Sequence, residues 1–303
     1  MLHLEYVSNG EESEKPIRFI PANANSSGLI FNETDVYVST KNNCGGVPNA
    51  VWGIDLLSPE KKVVSWKTNG GSVVGTAFGT DGTVYASTAD GDYSPAAFSD
   101  SVVVLDRKTL AMKDFFSPAR SAFTTSPTVF AFNGKYLIAV ANQDGHIYLL
   151  DAAAPGGTDH RTPLASIAAG NITTGDLATW EAAGTRWILA PVTGSKNAIA
   201  AFKVVDAGGK PTLQQAWVSR DMIVPQTPAI VNGVVFAVSG GDGQHAAVLY
   251  ALDGATGKDL WNSGTTITSY ARTGVSGGSS QLYLGTHDST VYAFGYPLAP
   301  IGE

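Results

Sequence analysis

Histidine and aspartate residues in predicted hairpin turns are the side chains of this sequence best suited to chemistry. Imidazole and carboxylate groups bind divalent transition metals. If the turns lie on one face of the molecule, they predict a metal or ligand site there. Their spacing matches no metal motif, which favours the competing interpretation of solvated turn residues that recur because a structural unit recurs. The candidate metal ligands are His146, His245, His287 and Asp288.

Two loops offer further candidates. Cys44 lies in the Gly- and Asn-rich loop 41–49, where a lone thiol could act as a nucleophile, although no histidine is assigned as its partner. An inert structural thiol is the favoured interpretation. The segment 89–94, Ala-Asp-Gly-Asp-Tyr-Ser, is rich in oxygen ligands but lacks the spacing of a calcium loop, so a solvated loop is expected.

Other sequence features assign no catalytic residue. The glycine clusters at 240–243 and 277–278 precede no helix, so they do not predict a phosphate site. No Gly-x-Ser-x-Gly sequence lies between a predicted strand and a helix, and the enzyme question therefore stays open with a non-enzyme favoured.

The composition and net charge of the chain indicate its fold class and argue against one kind of partner. The chain has 303 residues, of which 44% are hydrophobic and 15% charged, with 34 glycines, as expected for many short strands joined by tight turns. A net charge of -7 without a basic cluster argues against a nucleic-acid partner. No apolar run is long enough to span a membrane, and the N-terminus has no signal-peptide pattern.

The elements that must position these residues form a repeat. An apolar strand, followed in most copies by an acidic residue, recurs with a period of about fifty residues, which indicates one supersecondary unit per repeat. The copies of this marker strand lie at 2–5, 52–55, 103–106, 148–151, 200–203, 250–253 and 292–295.

Each repeat has the same internal order of strands. A short apolar segment, a turn and a second strand precede the marker strand, and an outer strand that often ends in an aromatic residue follows it. The turns Asp81-Gly82, Asn133-Gly134 and Asn232-Gly233 have the composition of two-residue hairpin turns. Four antiparallel strands per repeat are the arrangement of a β-propeller blade.

The hairpin 249–261, LYALDGATGKDLW, is the best-preserved copy and resembles the pyrroloquinoline quinone (PQQ) type β-propeller repeat, which is also a blade repeat of the WD-like kind. The resemblance implies that this hairpin holds the docking motif that joins neighbouring blades. Trp261 is expected to be buried over the next blade, so that Trp261→Ala would cost about 3–5 kcal/mol. The implied docking residues are Ala251, Asp253, Thr256, Gly257 and Trp261.

The resemblance implies an all-β fold, a β-propeller of four-stranded antiparallel blades with about six to seven blades visible. Residues 1–303 are expected to form one propeller domain that starts and ends within a blade. Family propellers generally have seven or eight blades, so a fragment of a longer propeller is favoured over a ring closed by the two terminal strands.

The same resemblance implies two functions. The first is a non-catalytic binding or scaffold protein of the cell envelope, periplasmic or extracellular, with a protein or small-molecule ligand at the propeller mouth. The alternative is a PQQ- and calcium-dependent quinoprotein dehydrogenase of alcohols or sugars, or a fragment of one. In that family adjacent cysteines contact the quinone, whereas Cys44 is the single cysteine here. The calcium ligands of the family match no residues of this chain, and no cofactor site is assigned.

Overall fold

The computed structural model describes residues 1–89, 98–118, 120–278 and 280–295. Apart from one short 3-10 helix, Cys44–Gly46, the regular elements of these residues are β-strands. The segment 90–94 that resembles a calcium loop lies outside the described residues. Within them, no helix has the length and apolar character needed to cross a membrane.

The strands form six successive antiparallel sheets, in which each strand pairs with its neighbours in the chain. Five sheets have four strands, and the sixth has three among the described residues. The fold is therefore all-β and built of β-propeller blades, as the sequence predicted. The first three sheets consist of β1 (Asn25–Asn32), β2 (Asp35–Lys41), β3 (Ala50–Asp55) and β4 (Val63–Lys67); β5 (Ser72–Phe78), β6 (Val84–Ala89), β7 (Val102–Leu105) and β8 (Met112–Phe116); and β9 (Thr128–Phe132), β10 (Lys135–Ala141), β11 (His146–Asp151) and β12 (Ala165–Ala168).

The remaining sheets repeat this arrangement. They consist of β13 (Ala178–Ala182), β14 (Thr185–Val192), β15 (Ala198–Asp206) and β16 (Pro211–Val218); β17 (Ala229–Val231), β18 (Val234–Ser239), β19 (Val248–Asp253) and β20 (Asp259–Asn262); and β21 (Ser276–Gly278), β22 (Gln281–Gly285) and β23 (Val291–Gly295).

The described chain divides into two compact units. Unit 1 comprises Met1–Val129 and Asp151–Pro163, and unit 2 comprises Phe130–Leu150 and Leu164–Glu303. A single domain over 1–303 stays a prediction. Within unit 1, one apolar core joins the first two sheets, with Tyr37 and Val51 packed in the same cluster as Val84 and Val103.

Unit 2 repeats this packing between consecutive sheets. One core contains residues of the third and fourth sheets, a second those of the fourth and fifth, and a third those of the fifth and sixth. The fourth sheet is consequently covered on both faces, which explains why β14 and β15 are buried along most of their length. Valine, isoleucine and alanine fill these strands because both faces must be apolar.

Local turn chemistry explains the hairpins between the first two strands of a blade. Asn133 and Gly134 both have positive φ (48° and 76°), as do Asn232 and Gly233 (51° and 80°), which is the conformation expected of these two-residue turns. The turn at Asp81-Gly82 is different. Gly79 donates its amide to the Thr83 carbonyl at 2.8 Å, so this is a longer loop in which the Asp81 carboxylate accepts the Thr83 amide at 3.0 Å.

The N-terminal copy of the marker strand is not a regular strand. Isolated bridges join Leu2 to Ile17 and Glu5 to Glu12, and no strand of a sheet forms at 17–20, where the sequence predicted one. The predicted marker strand at residues 2–5 is thus part of an irregular hairpin. Within this segment only Leu2 and Phe19 are buried, in a cluster with Val36, Val38 and Ile54 of the first sheet.

Candidate functional site

The turn after β19 is closed by an Asp side chain that accepts hydrogen bonds from its own turn. Asp253 Oδ1 accepts the Thr256 amide at 2.8 Å and the Thr256 hydroxyl at 2.6 Å. The hydroxyl hydrogen bond is the main reason that the pKa of Asp253 lies below its usual range. Gly257 follows with φ 70°, a backbone conformation that suits glycine.

An equivalent turn follows β7 in unit 1. Asp106 Oδ1 accepts the Thr109 amide at 3.0 Å and the Thr109 hydroxyl at 2.9 Å. Hydrogen bonds from Lys113 and then from Thr109 lower the pKa of Asp106. The Asp-x-x-Thr pattern is therefore a turn device, and its chemistry is the stabilisation of a hairpin.

Aromatic side chains of the preceding sheet dock on these turns. In unit 2, the indole N–H of Trp217 on β16 donates to the Gly254 carbonyl at 3.0 Å, and a Cβ added at Gly257 would lie 2.4 Å from the Trp217 ring. In unit 1, the hydroxyl of Tyr37 donates to the Arg107 carbonyl at 2.5 Å. Both acceptors are the residue directly after the turn aspartate, so blades are joined by a repeated aromatic-to-turn hydrogen bond.

A third member of the set lies in unit 1. The hydroxyl of Tyr85 on β6 donates to the carbonyl of Ala152, the residue after Asp151, at 2.8 Å. Burial raises the pKa of Tyr85 to about 12. The sequence pattern did not indicate Tyr37 or Tyr85 as docking residues, because they lie on second strands, whereas the predicted aromatic residue was on an outer strand.

The expected role of Trp261 needs correction. The hairpin 249–261 receives the docking ring, Trp217, and its own Trp261 is 47% exposed, against 8% for Trp217. Trp261 lies edge-on to Phe294, with ring centroids 5.9 Å apart, and faces Ala251 across the strand pair. Each docking ring contacts the turn after the third strand of the next sheet, and the residues after Gly295 lie outside the described part of the chain.

The predicted metal candidates lie apart in the chain: His146 is the first residue of β11, His245 lies in the loop between β18 and β19, and His287 and Asp288 lie in the turn after β22. The His146 ring stacks on Tyr148, with 6.2 Å between centroids, and the His287 ring on Tyr270 at 4.4 Å. The Asp288 carboxylate accepts the Thr286 hydroxyl at 2.5 Å, the largest cause of the lowered pKa of Asp288. None of these candidates belongs to a group of three close ligand atoms within the part of the chain that the structure describes.

A group with that geometry occurs elsewhere. Ligand atoms of His3, Glu5 and Glu12 lie within 4.8 Å of one another on the irregular N-terminal hairpin, and all three residues are exposed. His3 Nδ1 is 2.5 Å from Glu12 Oε1. These are the described residues that could hold a metal ion. Cys44 is exposed in its 3-10 turn, apart from this group.

An open pocket of about 480 Å³ in unit 2 includes the predicted site residue His245 in its lining. Buried Met222 and Ile267 line it together with half-buried Ile223, Val248 and Tyr250. The chain 219–224 between β16 and β17 is held in place by backbone contacts, such as the 2.8 Å hydrogen bond from the Ile223 amide to Ser239 Oγ. The volume of the pocket, about 480 Å³, is in the range of ligand-binding pockets.

Polar groups line one edge of this pocket. His245 Nδ1 lies 3.0 Å from Asp242 Oδ1, and the hydrogen bonds from the backbone and then the side chain of His245 lower the pKa of Asp242. Asp221 also lines the pocket, is exposed, and has no ion-pair partner among the described residues. The guanidinium of Arg220 lies 4.5 Å from the centre of the Tyr250 ring and 2.8 Å from Asp259.

The sequence indicated only His245 of this pocket. Its lining comes from three separate stretches, near 222, 247 and 266, and none of them carries a motif. The one local signal was the apolar pair Met222-Ile223 between two strands, a position where polar turn residues are usual.

No protein-family model matches the sequence, and no curated protein matches it by sequence. Solved structures do. BamB from Moraxella catarrhalis is similar with a TM-score of 0.54 and 16% identity, over 89% of this chain and 81% of that one. The β-propeller domain of Cps50 (Swd1) from Myceliophteria thermophila is similar with a TM-score of 0.53 and 12% identity, over 92% and 99% of the two chains.

A third similar structure is an enzyme, the quinohemoprotein alcohol dehydrogenase ADHIIG from Pseudomonas putida HK5. The TM-score is 0.61 at 12% identity, over 91% of this chain, which spans 58% of the dehydrogenase chain. Identities this low establish the fold alone. They agree with the β-propeller class predicted from the repeat.

Proposed function

We propose that this chain is a non-catalytic binding propeller of the cell envelope that takes a protein partner at the apolar pocket of unit 2. The observation that carries the proposal is the lining of the pocket, where half-buried Ile223, Val248 and Tyr250 present apolar surface and Asp221 contributes an exposed carboxylate. An open pocket of about 480 Å³ is large enough for one aliphatic or aromatic side chain of a partner.

The energetics favour a side chain as anchor. Full burial of a leucine or phenylalanine side chain contributes about 1.5–3 kcal/mol, and a few such anchors dominate most protein interfaces. Met222 is 4% and Ile267 1% exposed, so these side chains are packed into the base of the pocket, and half-buried Ile223, Val248 and Tyr250 supply the apolar surface that a partner can reach. A preformed pocket lowers the ordering cost of binding.

The test uses short fluorescent peptides that differ in one residue, Leu, Phe or Ser, within the same polar background. We expect the Leu and Phe peptides to bind more tightly than the Ser peptide, as measured by fluorescence anisotropy. Ile223→Asp should abolish the difference, because it places a charge in the pocket wall. Val231→Asp is the matched control, since Val231 is 45% exposed on β17 and does not line the pocket.

The proposed envelope location has its own test. It is supported by the resemblance of the 249–261 hairpin to repeats of exported propellers. Fractionation of cells that express the full-length protein should recover it outside the cytoplasm. Recovery in the cytoplasmic fraction alone would contradict the location and leave the binding proposal standing.

A PQQ- and calcium-dependent dehydrogenase is the second candidate, favoured by the similarity to the quinohemoprotein enzyme. The residues of the apolar pocket do not fit this cofactor. PQQ is a tricarboxylate, and the lining of the apolar pocket has the carboxylate of Asp221 but neither lysine nor arginine among the described residues. Cys44 cannot form the adjacent cysteine pair. Stoichiometric PQQ binding with calcium and dye reduction in the presence of an alcohol would establish the enzyme and overturn the binding proposal.

A further inference from the structure

The charges around the apolar pocket are unequal. The carboxylate of Asp221 lines the pocket and has no ion-pair partner among the described residues. Asp242, a second exposed carboxylate, lies 3.0 Å from the ring of the lining residue His245. The chain as a whole carries a net charge of -7. The edge of the pocket is therefore an anionic surface next to an apolar one.

The cationic groups nearby are already engaged. Arg220 contacts the Asp259 carboxylate at 2.8 Å and lies over the Tyr250 ring. The His245 ring is within hydrogen-bond distance of Asp242. Neither Arg220 nor His245 forms an ion pair with Asp221 among the described residues. A positive charge supplied from outside would thus meet an uncompensated carboxylate directly beside the apolar floor.

We infer that the occupant of this pocket is an extended segment of a partner protein in which an aliphatic or aromatic side chain stands next to a lysine or arginine. This inference rests on the proposed function and specifies its partner. The apolar side chain would pack on half-buried Ile223, Val248 and Tyr250, and the neighbouring cation would pair with Asp221. A partly exposed ion pair of this kind adds specificity and association rate more than affinity.

The experiment compares three peptides of equal length, whose central residues are Lys-Leu, Glu-Leu and Lys-Ser. Binding to the full chain is measured by fluorescence anisotropy at low and at high salt. We expect Lys-Leu to bind roughly fivefold or more tightly than Glu-Leu at low salt, with a smaller ratio at high salt. Lys-Ser should bind weakly, because it lacks the apolar anchor.

Variants of the protein locate the effect. Asp221→Asn should remove most of the preference for Lys-Leu, and Asp221→Lys should reverse it. Glu60→Gln, an exposed position in unit 1, is the charge-matched control and should change nothing. Ile223→Asp should abolish the advantage of Lys-Leu over Lys-Ser, with Ile223→Ala as the milder variant if the first does not fold, as judged by circular dichroism.

Each other outcome has a definite meaning. Equal binding of Lys-Leu and Glu-Leu, both lost in the Ile223 variants, would overturn the inferred basic partner and leave the binding function intact. Equal binding of Lys-Leu and Lys-Ser would reduce the interaction to charge alone and overturn it too. Binding of a small apolar dye in place of every peptide would assign the pocket to a small molecule. Absence of any binding would overturn the proposed function itself.

Discussion

Alanine substitutions of Trp217 and of Trp261 test which of the two tryptophans is the docking ring. Trp217 is 8% exposed and donates to the Gly254 carbonyl, whereas Trp261 is 47% exposed. A tryptophan that buries about 250 Å² gains at most about 6 kcal/mol at ~25 cal/mol per Å². We therefore expect Trp217→Ala to cost about 3–5 kcal/mol, and Trp261→Ala roughly half as much, because about half of its area is buried.

The measurement is urea unfolding followed by far-ultraviolet circular dichroism, which does not depend on the tryptophans removed. Because the chain has two compact units, the unfolding curve is checked for a second transition before free energies are taken from it. Trp217→Phe keeps a ring but loses the indole N–H, and we expect about 1–2 kcal/mol for it. A cost for Trp261→Ala equal to or above that of Trp217→Ala would refute the assignment of Trp217 as the docking ring.

Further predictions concern the turns and their partners. Gly257→Ala should cost clearly more than Gly134→Ala in urea unfolding, about 2 kcal/mol or more against about 1, because both have positive φ but only at Gly257 does a Cβ meet a ring. In unit 1, Arg107→Ala should lower the melting temperature more than Lys108→Ala, because both side chains contact buried Asp35 but Lys108 is the more exposed; equal shifts would count against a specific Arg107–Asp35 pair. The raised pKa of Tyr85, about 12 against 10 for the free side chain, means that the folded protein keeps this proton between pH 10 and 12 while the unfolded chain loses it. Stability should therefore fall with pH in that window, and Tyr85→Phe should show a shallower fall; identical pH profiles would contradict the shift.

The blades could be predicted because their signals are local. Alternating or continuous apolar segments, the turns Asn133-Gly134 and Asn232-Gly233, and the period of the marker strands follow from residues close together in the chain. The Asp-x-x-Thr-Gly turn at 253–257 is equally local, since its hydrogen bonds span three residues. Where the local signal was weak, at residues 2–5, the predicted strand became two isolated bridges.

Contacts between blades could not be assigned in the same way. The sequence marks Trp261 and Trp217 alike as aromatic residues on outer strands, but whether a ring is buried depends on the turn of the following sheet. Tyr37 and Tyr85 gave no signal, because a tyrosine on a second strand is ordinary core until its hydroxyl meets a particular carbonyl. Histidines recur at similar positions in several repeats. Among the described residues, however, the ligand atoms of His146, His245 and His287 do not form one close group.

The sequence by itself thus determined the all-β class, the four-stranded repeat and the turn chemistry, because strand periodicity and turn conformation depend on neighbouring residues. Only the tertiary structure decided that Trp217 docks on the 253–257 turn, and that Met222, Val248 and Ile267 line one pocket beside Asp221. Those contacts join residues tens of positions apart, and their geometry depends on how consecutive sheets pack, which no local pattern encodes.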